Sequence, residues 1–361
     1  MDVKVHASNL KLQEFVNKHL IVPYQIPMGL RILPFRNYLQ MYIKDSMTHP
    51  SLSELKQEHK VFSLVDGGQC CCTIFYPPGQ HKEDEKTRDK THHETHHEPD
   101  AKASNKNPII FIFPTLTGNS EFFSCFILYL TKIKGWTAIV LHKRGQHCPL
   151  LNYKFHPTGS DHDTHIMVQW TLERFRGHKA FTYGVSAGAI MMSRYLGKYQ
   201  PAEILAAVGV SGAFEWETVE QLDPFLHSRM KQKIYSTYPL PEPKTEEEVK
   251  IGKELKVWVE TKDKNITELF LIFNPTASRA IVDREVGIQP ALPHIKSPIL
   301  FINSKDDPMF PGGKTFEHLN KNAIFVQSEE GSHACYFESA WTWAQLSWVE
   351  TKAFQFFEHH F

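Results

Sequence analysis

The segment Phe181-Thr182-Tyr183-Gly184-Val185-Ser186-Ala187-Gly188-Ala189 sets one serine between two glycines, each two positions away. An apolar run precedes it, and a helical run with Ile190 and Tyr195 follows. Gly-x-Ser-x-Gly at a strand-to-helix junction is a sharp turn that lifts the serine Oγ clear of the sheet. Residues two before and two after the serine must be small, because side chains there collide across the turn. A serine hydroxyl is a weak nucleophile until a base takes its proton, so a histidine oriented by a carboxylate is required. Asp306-Asp307-Pro308 closes the apolar run Ile299–Asn303, and Gly331-Ser332-His333 follows the run Ala323–Gln327. The order serine, acid, histidine, each at the carboxyl end of a strand, matches the placement of sites in open α/β sheets. Ser186 is therefore the expected nucleophile and His333 the expected base, with Asp307 taken as the acid. A developing oxyanion needs two backbone N–H groups. Ala187 supplies one, and Leu116 in the loop Phe113–Ser120 supplies the other, since Pro114 has no N–H.

Three other patterns compete for attention. Gly209-Val210-Ser211-Gly212-Ala213 also ends an apolar run, but alanine replaces the last glycine and no helical pattern follows. Ser211 is expected to be a turn residue at the sheet edge. His93-Glu94-Thr95-His96-His97 has zinc-protease spacing, which requires a buried helix with an apolar side. Its neighbours in 79–107 are His, Lys, Asp and Glu without apolar periodicity, so a solvated insertion is expected and a metal site is not. His156 and Asp161 fit a short pattern discussed for acyltransferases, and such a pattern is common by chance.

These residues need strands to carry them. Short apolar runs at Ile109–Phe113, Thr137–Leu141, Phe181–Val185, Leu205–Val210, Ile299–Asn303 and Ala323–Gln327 alternate with helical patterns at 121–134, 162–175, 187–198, 314–321 and 340–358. Trp341, Ala344 and Trp348 are spaced as one face of the last helix. Continuous apolar strands alternating with helices imply a mostly parallel sheet covered on both faces. The rhythm breaks at 215–290, which holds 14 acidic and 11 basic side chains and reads as a helical cap inserted between sheet strands. The stripe Ile251, Leu255 and Trp258 is expected to pack that cap. Val61–Leu64 and Cys70–Tyr76 flank Asp66-Gly67-Gly68 as a hairpin. The expected division is an arm over 1–60, the hairpin over 61–78, the insertion over 79–107, a core over 108–214 and 291–361, and the cap.

Composition limits the function classes. The 361 residues carry 40 Lys+Arg and 40 Asp+Glu, a formal net charge of zero. A nucleic-acid binder needs a basic excess to displace counterions, so that class is disfavoured. The first 50 residues hold six Lys/Arg against three Asp/Glu, which leaves an arm that packs on the domain or touches an anionic lipid surface. No uncharged apolar stretch reaches the roughly 18 residues of a spanning helix, and no signal peptide is recognisable. The six cysteines include three in a row, a poor disulfide framework, so an intracellular, reduced protein is expected and Asn265-Ile266-Thr267 is expected to be unused. Oligomeric state is not readable.

With these motifs in hand, the chain resembles the α/β-hydrolase subfamily of abhydrolase domain-containing proteins 1, 2 and 3 and the YheT-like esterases, over roughly residues 50–361. The resemblance runs through Pro114–Gly118, His142-Lys143-Arg144-Gly145, Gly184–Gly188 with Tyr195-Leu196-Gly197, Asn303–Pro308 and Gly331–His333. It implies an α/β-hydrolase fold, the second aspartate of the pair as the acid, and cofactor-free hydrolysis of carboxylic esters, typically acylglycerols or phospholipids. Two departures stand out. Pro114-Thr115 replaces the family's His-Gly, and no counterpart of the N-terminal membrane helix usual in eukaryotic members is expected in this sequence. The competing expectations are a catalytically weak relative that binds lipid or protein, and an acyltransferase working through the same three side chains.

Overall fold

Residues with no polar side chain and a period of two bury both faces of a strand only if helices cover both. In the computed structural model this is how the strands are used. The description covers all residues except 6–8, 29–35, 47–48, 80–105, 216–223, 262–265, 275, 279–280, 283–286, 311–317 and 339–345. The histidine-rich insertion with its His93–His97 motif, Asn265 of the sequon, part of the expected 314–321 helix, Trp341 and Ala344 lie outside the described residues.

Nine strands form one sheet: β1 (Asp2–Val5), β2 (Gln57–Ser63), β3 (Gln69–Phe75), β4 (Ile109–Phe113), β5 (Thr137–His142), β6 (Ala180–Val185), β7 (Ile204–Val210), β8 (Ile299–Ser304) and β9 (Ala323–Ser328). Their order is β1-β9-β8-β7-β6-β4-β5-β3-β2. The run from β5 through β4, β6, β7 and β8 to β9 is parallel, while β1, β2 and β3 join antiparallel. Ile109, Phe111 and Phe113 of β4 face one core cluster, and Ile110 and Ile112 face the other.

The helices are α1 (Leu10–His19), α2 (Arg36–Ser46), α3 (Ser124–Leu128), α4 (Asp161–Arg174), α5 (Ala187–Tyr199), α6 (Pro224–Thr237), α7 (Glu246–Glu260), α8 (Ile266–Phe273) and α9 (Trp348–His360). Buried residues of α4 and α5 cover the first face together with the α6–α8 segment, and those of α1, α3 and α9 cover the second. Ile251, Leu255 and Trp258 of α7 are buried, and the Lys231 ammonium of α6 sits 5.2 Å from the Trp258 ring centroid. Thr245 caps α7, and Glu246, Glu247 and Glu248 load its positive end.

Four expectations change. The first residues of the expected arm are not an arm but strand β1, paired with β9. The hairpin starts earlier, at Gln57, and its turn is closed by the Asp66 carboxylate accepting from Gly68 N. The helix expected over 121–134 is broken into a 3-10 turn, α3 and a π-helical segment Tyr129–Ile133. There the Thr131 hydroxyl donates to the Ile127 carbonyl at 2.8 Å, and Lys134 N donates to the Tyr129 carbonyl five residues back. The last helix begins at Trp348, because Ser347 and Glu350 form a reciprocal capping box that stops it extending backwards.

Within the arm, Leu12 and Phe15 of α1 are buried, and the Phe15 ring meets Phe356 of α9 edge-on at 4.9 Å. Leu10, Ile21, Val22 and Met28 of the same segment are exposed. Cys70, Cys71 and Cys72 of β3 are all buried, with β3 covered by β2 and β5 on its two edges. Among the described residues, no helix is long and apolar enough to cross a membrane.

Candidate active site

Ser186 ends β6 in a conformation that only glycine adopts readily, with φ 56° and ψ −121°. The neighbouring glycines make that turn possible. A Cβ on Gly188 would lie 1.9 Å from the Phe113 carbonyl oxygen, and one on Gly184 would lie 2.7 Å from the Gly188 carbonyl oxygen. Ser186 N donates to the Val210 carbonyl at 2.8 Å, which ties the turn to the end of β7.

His333 reaches the serine from the loop after β9. Its Nε2 lies 2.9 Å from Ser186 Oγ and its Nδ1 lies 2.9 Å from Asp307 Oδ2. With Nδ1 protonated and donating to the carboxylate, Nε2 is left to accept the serine proton. Asp307 is 1% exposed, and its Oδ1 accepts from Met309 N at 2.7 Å and Phe310 N at 3.2 Å. Both carboxylate oxygens are therefore engaged, which fixes the orientation of the group toward the imidazole. The adjacent Asp306 does different work, since its Oδ1 accepts from Ser332 N at 2.8 Å and anchors the histidine loop.

That loop is held against its own backbone preference. Gly331, Ser332 and Ala334 all have positive φ, at 144°, 47° and 57°. Ser304 Oγ donates to the Ser332 carbonyl at 2.6 Å, and Ala334 N donates to Ser211 Oγ at 2.9 Å. Lys44 of α2 donates to the Ala334 carbonyl from the other side. Such strain persists only where the surroundings over-determine it. Ser211 thus has a role sequence reasoning missed. It does not sit at a sheet edge, because β7 is an interior strand between β6 and β8. Its φ of 50° turns its hydroxyl toward the loop carrying His333. The imperfect duplicate of the elbow motif was the available signal, and what it marks is a second strained strand end.

The two amides expected to face an oxyanion, Leu116 and Ala187, line the same cavity as Ser186 and His333. Among the described residues, neither N–H has an intramolecular acceptor. The loop around Leu116 is secured from below: Gly118 N donates to Thr115 Oγ1 at 2.9 Å, and Gln146 Nε2 donates to the Thr115, Leu116 and Gly118 carbonyls at 3.0, 3.3 and 2.9 Å. Tyr238 of α6 also donates to the Leu116 carbonyl. Neither Gln146, just past the His142–Gly145 motif, nor Tyr238 in the cap region could be singled out from the sequence, since no spacing links either to the Pro114–Gly118 loop.

Arg144, next along the chain, is structural. It makes a two-pronged contact with Asp163 at 2.6 and 2.9 Å and reaches Asp66 at 2.7 Å, joining β5, α4 and the hairpin turn. Asp161 of the short His156–Asp161 pattern is engaged by Arg194 at 2.8 Å.

The cavity above Ser186 is about 800 Å³ and is walled by α2, α6 and α8 together with the loop Met309–Phe310. Its side chains are mainly apolar, among them Met41, Phe122, Ile190, Phe225 and Phe270, with Lys44, Arg229 and Lys233 as the charged members. Pockets of this volume accept drug-sized or larger apolar ligands.

A serine-bearing turn after β6, an aspartate after β8 and a histidine after β9, on a sheet whose antiparallel hairpin leads into a parallel run, decide the architecture. The fold is the α/β-hydrolase fold. No family model matches the chain, and no curated protein matches it. Solved structures do resemble it. A protein with unknown function from Staphylococcus aureus shares 16% identity, with 76% of this chain and 90% of that one covered and a TM-score of 0.48. A highly thermostable carboxyl esterase from Bacillus coagulans, solved in complex with glycerol, shares 11% identity over 84% of this chain and 98% of its own, with a TM-score of 0.48. Pyrococcus horikoshii acylaminoacyl peptidase shares 13% identity with a TM-score of 0.45, and the match spans 81% of this chain but 39% of that longer one. At these levels of similarity the neighbours carry no argument about substrate.

Proposed function

We propose that the protein is a serine hydrolase of carboxylic esters, with Ser186 as nucleophile, His333 as base and Asp307 as orienting acid. The observation that carries this reading is the histidine bridge, 2.9 Å to Ser186 Oγ on one side and 2.9 Å to Asp307 Oδ2 on the other, at the floor of a large apolar cavity. In the reaction, Ser186 Oγ attacks the ester carbonyl as its proton passes to His333 Nε2. Asp307 stabilises the imidazolium, and the amides of Leu116 and Ala187 receive the oxyanion. The intermediate collapses as His333 gives the proton to the departing alcohol. Water, deprotonated by His333, then cleaves the acyl-enzyme and frees the acid and the serine.

The apolar walls favour an acyl chain over a peptide, and the likeness to the abhydrolase domain-containing subfamily of lipid-ester hydrolases points the same way. Lipid esters are therefore the substrate class we assign. The exposed Ile21, Val22 and Met28 in a basic segment suit contact with an anionic lipid surface, where such substrates reside. A fluorophosphonate probe is expected to label the wild type and not Ser186→Ala, and a panel of lipid esters is expected to lose turnover in the variant. Equal labelling of both proteins refutes the assignment of the nucleophile. Labelling without turnover on any ester favours a binding role, and esters formed on added glycerol favour acyl transfer.

A further inference from the structure

Lys143 directly follows β5, is 3% exposed and pairs with no carboxylate among the described residues. Burying an ammonium without a counter-ion is costly, so the fold must gain something from it. Its Nζ donates to the Thr115 carbonyl at 2.7 Å and to the Pro114 carbonyl at 3.1 Å. The Thr115 carbonyl belongs to the same peptide unit as the Leu116 N–H. In a trans peptide the N–H points opposite the C=O, so an ammonium on the oxygen end directs the Leu116 N–H away from itself. It also draws electron density toward the oxygen and makes that N–H a stronger donor. Gln146 adds a second donor to the same carbonyl at 3.0 Å, and Gln146 Oε1 in turn accepts from Lys143 N at 2.9 Å. The path of the lysine stem depends on Gly159, whose φ is +86° and where a Cβ would meet Lys143 Cγ at 3.3 Å and Met191 Sδ at 2.5 Å.

We propose that Lys143 is a positioning residue for the oxyanion: its buried ammonium orients and polarises the Thr115–Leu116 peptide, which receives the charge that develops when Ser186 attacks. This rests on the hydrolase reading above. Burial pushes the Lys143 pKa down to about 7. The charge is therefore present in mildly acidic solution and lost as pH rises through that value. The elements packed around it carry His142 and Arg144 on its own segment, His156 before Gly159, Arg194 on α5 paired with Asp161, and Tyr238 on α6. Wild type and variants carry the same Ser186, His333 and Asp307, so pH effects common to them cancel in their ratio.

The test is the rate constant for fluorophosphonate labelling, measured from pH 6 to 8.5 for wild type, Lys143→Met and Lys143→Gln, with thermal unfolding run in parallel. Lys143→Met is expected to be labelled about 100-fold more slowly at pH 6, the scale of losing one oxyanion donor. Lys143→Gln, which keeps a donor without charge, is expected to fall between the two and serves if the methionine variant does not fold. The ratio of wild type to either variant is expected to shrink as pH passes 7, because the wild type then loses its own cation. Folded variants labelled within threefold of wild type overturn the role of Lys143 and leave the hydrolase reading standing. A slower variant whose ratio to wild type does not change with pH overturns the polarising charge. A wild type that is not labelled overturns both.

Discussion

The turn from Gly184 to Gly188 and the loop from Pro114 to Gly118 touch each other beside Ser186, yet they hold their shapes by opposite means. In the turn, most constraints are local. The positive φ of Ser186 and the close approach of Gly184 to Gly188 arise within five residues, and only the Ser186 N bond to the Val210 carbonyl and the contact of Gly188 with Phe113 reach to neighbouring strand ends. In the loop, apart from one Thr115–Gly118 contact, the constraints come from far along the chain: Lys143 and Gln146 after β5, and Tyr238 on α6. One half of the site is thus a motif and the other is a product of tertiary structure. The Ser186 turn needs only its own residues and the strand ends beside it, whereas the Pro114–Gly118 loop depends on the segment after β5 and on α6 being in place.

The contact between the two regions gives the largest test of this contrast. Gly188→Ala forces a methyl group to 1.9 Å from the Phe113 carbonyl oxygen, so the turn or β4 must move. A loss of more than about 4 kcal/mol is expected, on the scale of severe overpacking and strain. Chemical denaturation would measure it, and a variant as stable as wild type would show that the turn is not sterically defined. Gln146→Ala should separate the regions. It frees three loop carbonyls without touching the turn, so kcat for an ester should fall about 10- to 100-fold while KM stays within about threefold. Loss of stability without loss of kcat would assign Gln146 to packing alone. The smallest effect is expected for Tyr238→Phe, which removes one hydroxyl from the Leu116 carbonyl and should lower kcat by less than about tenfold, as for one neutral hydrogen bond. A larger loss would show that α6 controls the loop as strongly as Gln146 does.

The same contrast explains what the sequence made legible. Ser186, the strand before it and the helix after it could be read directly, because the chemistry of the turn is contained in nine consecutive residues. Asp307 and His333 could be ordered by their strands, and the structure brings both within hydrogen-bond distance of their partners. The division of work between Asp306 and Asp307 could not be read from spacing, since it depends on which carboxylate faces the imidazole. Lys143 and Ser211 were hidden for a related reason. A lysine after an apolar strand looks like a solvated strand end, and only the folded structure brings the Pro114–Gly118 loop onto its ammonium and Gly159 against its stem. β1 escaped notice because four residues with alternating burial give too short a pattern, and it becomes a strand only by pairing with β9. The π-helical segment at Tyr129–Ile133 was invisible because its apolar spacing imitates an ordinary helix.

The three adjacent cysteines of β3 have a practical meaning of their own. Each is at most 1% exposed; burial raises the Cys70 and Cys72 thiols, the latter to about 12, and a hydrogen bond with Cys148 together with burial raises that of Cys71, so the native protein offers almost no thiolate there. An alkylating reagent can modify them only after β3 parts from β2 and β5. The rate of their modification is then a clock for opening of that side of the sheet. It can be read in the same tube as serine labelling, with one reagent reporting the chemistry and the other the breathing of the scaffold.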